Sequence, residues 1–328
     1  MAARLRLRLE PSPLVLIASL LAGSACGSPG GSMLGEPPAS GRWSWASDLP
    51  TPRTEVGVAA LEGRIYVVGG FTGDGAPSAR VEVYDTESGD WETGPSLPEP
   101  LHHVALVTTD GRVFAIGGHR GIPFEPVASV YALDPDAGSW ESVQPLPRAR
   151  GALTAAVVDG EIYAIGGQAA DEIAVRDVER YDPEANRWEP LPPLPTPREH
   201  LASASLDGVV YVAGGRLGSL TTNLAAFEAL DTRSLSWMSL PDMPTARGGL
   251  AAAAFEDRIH VVGGEAPTRT FDAHEAYDPR AGRWNAMSPL PTARHGLGAA
   301  VAGGRLYAIG GGPRPGLSVS GASEVLFP

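Results

Sequence analysis

The doublet Gly-Gly recurs at Gly69-Gly70, Gly117-Gly118, Gly166-Gly167, Gly214-Gly215, Gly263-Gly264 and Gly310-Gly311, each time closing an apolar run, at spacings of 48, 49, 48, 49 and 47 residues. Six copies at so regular a period restrict the chain to an array in which one supersecondary unit packs against its neighbours. A period of about 50 belongs to propeller arrays, because helical solenoids have mostly shorter units and a 3.6-residue apolar pattern. That pattern is absent here.

The parts of each copy recur in register. Before each apolar run stands a two-residue turn candidate: Glu62-Gly63, Asp110-Gly111, Asp159-Gly160, Asp207-Gly208, Glu256-Asp257 or Gly303-Gly304. Asp-Gly between two strand-like runs is a strong hairpin signal. Ahead of the turn lie small residues, such as Ala202 to Ser205 and Ala251 to Ala254, which suit the innermost strand of a wedge-shaped sheet. After it, Ile65 to Val68 and Ile162 to Ile165 are nearly continuous apolar strands, as expected when both faces are covered. A third strand ends in Tyr84, Leu133, Tyr181, Leu230 or Tyr277, each followed by Asp; seven residues on stands a Trp, and six after that Leu or Met and then Pro. Each copy therefore predicts four short antiparallel strands with an aromatic pair between sheets.

This set, Gly-Gly, Tyr-Asp, Trp and Leu-Pro, resembles the kelch repeat over residues 43–328. The resemblance implies an all-β, six-bladed β-propeller with four antiparallel strands per blade. The sixth copy, Glu324 to Pro328, has no Trp strand after it, whereas Trp43, six residues before Leu49-Pro50, is a Trp strand with no blade of its own. It is expected to complete the last blade and close the ring, which removes unpaired strand edges. Deleting residues 43–50 should then cost far more stability than deleting 27–40.

Arg4, Arg6 and Arg8 precede an apolar run from Leu14 to Ala22, too short to span a bilayer, and Gly23-Ser24-Ala25 leads to Cys26, the only cysteine. Residues 1–25 read as a signal peptide, and the small residues before Cys26 resemble a bacterial lipobox, which implies a lipid anchor on Cys26. Residues 26–42, rich in Gly, Ser and Pro, then form a tether. Gly27 after the cysteine leans towards the outer membrane by resemblance to enteric lipoproteins. The expected product is a monomer exported across the inner membrane and held in the bacterial envelope.

Composition removes several functions. There is no lysine, hence no Schiff base and no P-loop lysine. A net charge of −13 disfavours nucleic acid. The sequence contains no Gly-x-Ser-x-Gly elbow and no His-Glu-x-x-His. The tyrosine–cysteine cofactor of the kelch-related galactose oxidases has no cysteine to use outside the leader, and no cofactor is expected.

Functional candidates come from comparing the copies. Arg53, Arg150, Arg198, Arg247 and Arg294 each stand sixteen residues before the first Gly of a doublet, at the entry of the innermost strand; only the second copy differs, with Leu101. Recurrence argues for bracing between blades through carbonyls and carboxylates. The other reading is an arginine ring that binds ligand at one mouth of the channel, as the kelch resemblance suggests, since entry arginines of eukaryotic kelch domains face a pocket for acidic partners. Glu82, Glu179, Glu228, Glu275 and Glu324 recur as well and read as blade structure.

The departures between copies are sharper. After the entry position come Thr54-Glu55, His102-His103, Gly151-Ala152, Glu199-His200, Gly248-Gly249 and His295-Gly296; after the doublet stand Phe71, His119, Gln168, Arg216, Glu265 and Gly312. Both sets are predicted at one mouth, because an inner strand starts where its antiparallel partner ends. The fourth copy should bring Arg198, Glu199, His200 and Arg216 together, with His119, Glu265 and His295 converging from other blades. Such a group does proton transfer on a bound sugar or acid, or is a satisfied ion-pair network. His102, His103 and His119 lack a diagnostic metal spacing, and no metal is expected.

Two functions remain. One is a non-catalytic binding or scaffold propeller that recognises a protein or glycan at one mouth, and it is the reading preferred. The other is a sugar mutarotase similar in architecture to the periplasmic kelch mutarotases of N-acetylneuraminate, with Glu199 (candidate partner His200) as acid/base and Arg198 and Arg216 holding an anionic sugar.

Overall fold

The computed structural model describes residues 41–328. The leader, Cys26 and the tether up to residue 40 lie outside the described residues.

The described residues contain strands and turns and no helix. Six antiparallel sheets, each built on four strands, repeat one order from the innermost strand outwards, and the fifth also pairs the short strand Arg269–Thr270. The first blade comprises Gly57–Leu61, Arg64–Val68, Val81–Asp85 and Trp91–Thr93. The innermost strands of the next four blades are Ala105–Thr109, Thr154–Val158, Ala202–Leu206 and Gly248–Phe255. In the sixth blade Gly298–Ala302, Arg305–Ile309 and Ser323–Leu326 are completed by Trp43–Trp45, which pairs antiparallel with Ser323–Leu326. The chain therefore closes its ring with an N-terminal strand, as the orphan Trp43 predicted.

The recurring Trp explains why that strand counts as part of the blade. Each Trp indole reaches the neighbouring blade and donates Nε1–H to a carbonyl: Trp91 to Ser47 at 2.9 Å, Trp140 to Pro95 at 2.8 Å, Trp188 to Gln144 at 2.9 Å, Trp237 to Pro192 at 2.9 Å and Trp284 to Pro241 at 2.8 Å. Trp43 makes the sixth such bond, to Ser288 at 3.1 Å. Six aromatic rings thus tie six blades at their outer rim, and burial between blades supplies the cohesion.

The second strand of each blade is covered on both faces, which is why Ile65, Val67, Val68, Ile162 and Ile165 have no solvent exposure. The innermost strands line an axial channel of about 360 Å³ with Val58, Ala60, Ala155, Ser203, Ala252 and Ala299 among its walls. Six strands meet around that axis, and small side chains let them approach.

Candidate functional site

The five entry arginines are not at the mouth. Each is fully buried and paired with the recurring glutamate of its own blade: Arg53 with Glu82 at 2.8 Å, Arg198 with Glu228 at 2.5 Å, Arg247 with Glu275 at 2.6 Å, Arg294 with Glu324 at 2.5 Å, and Arg150 with Glu179. Other donors go to strand carbonyls, for example Arg247 to Gly263 and Arg294 to Gly310, while the Nε–H groups of Arg53, Arg150 and Arg198 have no partner. The expected ligand-binding ring of Arg53, Arg150, Arg198, Arg247 and Arg294 is therefore corrected to a set of pins inside single blades. A buried carboxylate and a buried guanidinium each need the other, so neither is left over for a ligand. The second blade lacks both partners, with Leu101 and Tyr131 at the two positions.

The departures do meet. Each residue after the entry position bridges the residue after its doublet: Thr54 with Phe71, His102 with His119, Gly151 with Gln168, Glu199 with Arg216 and His295 with Gly312, while Gly248 pairs Glu265. One position further on, Glu55, His103, Ala152, His200, Gly249 and Gly296 all adopt a left-handed backbone, with φ between 51° and 66°. That conformation turns each N–H sideways to the carbonyl of the next blade. The six bonds run Glu55 to Gly296, Gly296 to Gly249, Gly249 to His200, His200 to Ala152, Ala152 to His103 and His103 to Glu55, at 2.7–3.1 Å, and close a ring about the axis. The same six residues line a cavity of about 90 Å³.

Side chains form a second circuit on this floor. His103 Nε2 lies 3.2 Å from Glu55 Oε2, and His295 Nδ1 lies 3.2 Å from Glu55 Oε1. His295 Nε2 is 3.6 Å from Glu265 Oε2 and donates to the Arg314 carbonyl at 3.1 Å. Arg216 donates to Glu265 at 2.8 Å and to Glu199 at 3.0 Å. Glu199 touches His200 Nδ1, and the His200 ring packs edge-on against His103 with centroids 4.6 Å apart. His102 and His119 stack beside His103, under Phe71 and Phe124. A Cβ at Gly296 would stand 2.6 Å from Glu55 Oε1, so glycine there is what leaves the carboxylate its place.

Burial sets the charges. It pushes His102 down to about 4 and His119 down to about 3, and it holds His103 and His200 well below the usual imidazole range. His295 is the exception: burial lowers it, but the Glu55 hydrogen bond and the charges of Glu55 and Glu265 outweigh burial and raise its pKa. Three carboxylates, one guanidinium and five imidazoles share this floor.

Of the expected group, Glu199, His200, Arg216, Glu265 and His295 come together, with His102, His103 and His119 alongside. Arg198 does not join them, since its guanidinium points into the blade. Glu55 joins the group although only its place among the departures hinted at it, and Phe124 caps the histidines from a loop with no recognisable code.

The model of the KLHDC2/KLHL20/DRC7 Kelch-repeats domain matches residues 39–215 and again 145–312. No curated protein matches the chain. The solved structure of YjhT superposes with a TM-score of 0.75 at 16% identity, covering 85% of this chain and 96% of that one, which is a likeness of fold.

Proposed function

For a chain that belongs to the kelch-repeat family, we propose a binding propeller that presents the mouth described above to a protein or glycan outside the cytoplasm. One observation carries this reading. Among the described residues seven large apolar side chains are exposed, and five of them, Ile122, Phe124, Ile173, Leu217 and Leu317, stand on loops joining second to third strands, which all emerge at this mouth. The other two, Trp45 and Met238, lie on outermost strands. An apolar crown over a charged floor has the layout of a recognition surface. Residues 1–25 and Cys26 support export and lipid tethering, with the outer membrane as the place of attachment.

The mutarotase alternative loses support at its arginines: Arg198 is committed to Glu228 and Arg216 to two carboxylates. The test is saturation-transfer NMR with acidic and neutral sugars, recording binding and anomer exchange together. Binding without exchange, lost in Ile173→Ser and Leu317→Ser, supports the proposal. Catalysed exchange that disappears in Glu199→Gln replaces it with the enzyme reading. Labelled fatty acid incorporated by the wild type and not by Cys26→Ser tests the anchor.

A further inference from the structure

Hydrogen-bond accounting on the axial floor leaves one contact without a hydrogen. The Gly121 carbonyl only accepts, so His102 Nε2, 3.1 Å from it, carries a hydrogen. A neutral His102 ring with that hydrogen is bare at Nδ1. That bare nitrogen meets His103 Nδ1, so His103 donates there and is bare at Nε2. Yet His103 Nε2 faces Glu55 Oε2 at 3.2 Å. A lone pair and a carboxylate oxygen confront each other, while the second Glu55 oxygen already receives the His295 hydrogen. His200 Nδ1 faces Glu199 Oε2, and neither atom has a hydrogen-bond partner.

We propose that Glu55, His103 and His200 bind one divalent transition-metal ion on the propeller axis, with water completing its coordination. Their donor atoms lie within 4.8 Å of one another, close enough for small side-chain rotations to bring all three to roughly 2.1 Å from a common centre. The two imidazoles and one carboxylate suit a borderline ion such as Zn²⁺, Co²⁺ or Fe²⁺ better than Mg²⁺ or Ca²⁺. His102 on His103 holds the tautomer that leaves Nε2 free, the role second-shell partners play at histidine sites.

Three further observations agree. Ala152, Gly249 and Gly296 occupy the other positions of the ring, so half of the floor is open, and its cavity of about 90 Å³ has room for an ion with water. Three carboxylates, Glu55, Glu199 and Glu265, face the single guanidinium of Arg216 there, and a cation offsets the difference. His119, fully buried beside His102 and His103, has no partner for either ring nitrogen. The site does not rest on which macromolecule the mouth receives.

The full-length chain, stripped with EDTA, is titrated with ZnCl₂ by calorimetry and with CoCl₂ by visible absorption. The expected result is one ion per chain and a Co²⁺ spectrum of mixed nitrogen and oxygen ligation. His103→Ala, His200→Ala and Glu55→Gln should each weaken Zn²⁺ by more than the roughly 10- to 100-fold typical of second-shell changes, and the remote His260→Leu should not. Glu55→Gln preserves size and hydrogen bonding, so it remains informative if a histidine variant fails to fold. Absence of stoichiometric Zn²⁺, or unchanged affinity in Glu55→Gln, overturns the proposal.

Discussion

At one end of the channel the first and second strands of each blade are joined by two left-handed residues, Glu62-Gly63, Asp110-Gly111, Asp159-Gly160, Asp207-Gly208, Glu256-Asp257 and Gly303-Gly304. The neighbouring turns at this end are organised by Asp85, Asp134, Asp182, Asp231 and Asp278, whose carboxylates accept backbone N–H groups two or three residues on. At the other end the left-handed residues bond across blades, and the Glu55 and Glu265 side chains find partners on neighbouring blades, while Glu199 is held by Arg216 of its own. The same repeat thus satisfies its polar groups locally at one end and across blades at the other. Local satisfaction makes six copies alike, whereas satisfaction across blades lets each copy contribute something different.

The largest effect tests the frame that carries the mouth. Arg247→Ala leaves Glu275 buried and unpaired and should cost about 3–5 kcal/mol, read from denaturant unfolding; a loss similar to that of a turn substitution would break the contrast drawn here.

Acid comes next, and besides the buried histidines of the mouth it acts on a pair that belongs to neither end. His260 and His274, 2.8 Å apart beneath Trp43, are pushed down by burial to about 3 and about 4, with Arg258 and Arg247 adding to the effect. Their folded values lie below 6.5, so the unfolded chain takes up protons first. Stability from this pair is complete above that pH and declines as pH falls towards 4. His260→Leu should flatten the decline of the urea midpoint between pH 7 and 4, and an unchanged slope would shift acid sensitivity to another group.

At the turn end, Gly160→Ala meets no neighbour closer than 3.9 Å, so its cost is the left-handed backbone at φ 85°, about 1–2 kcal/mol, with ligand binding intact. Smallest in stability are Ile173→Ser and Leu317→Ser on the crown, 56% and 55% exposed: unfolding should change by less than about 0.5 kcal/mol while binding at the mouth falls. A turn variant that abolished binding, or a crown variant that unfolded the protein, would dissolve the distinction between the ends.

The repeat was legible because each of its signals is local. Asp159-Gly160 announces a tight turn from two residues, and Trp188 with Leu194-Pro195 recurs wherever a blade ends. Ring closure by Trp43 was legible too, because a strand without a blade and a blade without a strand call for each other. The arginines were harder. Arg198 and Glu228 stand thirty residues apart, and nothing in either local stretch says that the guanidinium turns into the blade. The second copy held the clue, since Leu101 and Tyr131 replace both members together. Glu55 gave less warning, because its importance depends on His103 and His295 arriving from blades two and six.

The sequence by itself determined the six-fold array, the four strands of each blade, the turn chemistry and the strand that closes the ring, all of which follow from periodicity and short-range sterics. Only the tertiary structure decided that the arginines pin blades from within, that six left-handed residues hydrogen-bond into a ring, and that Glu55, His103 and His200 meet on the axis. The physical reason is distance along the chain: these groups come from different repeats, and their charges and tautomers are set by neighbours that exist only once the ring has closed.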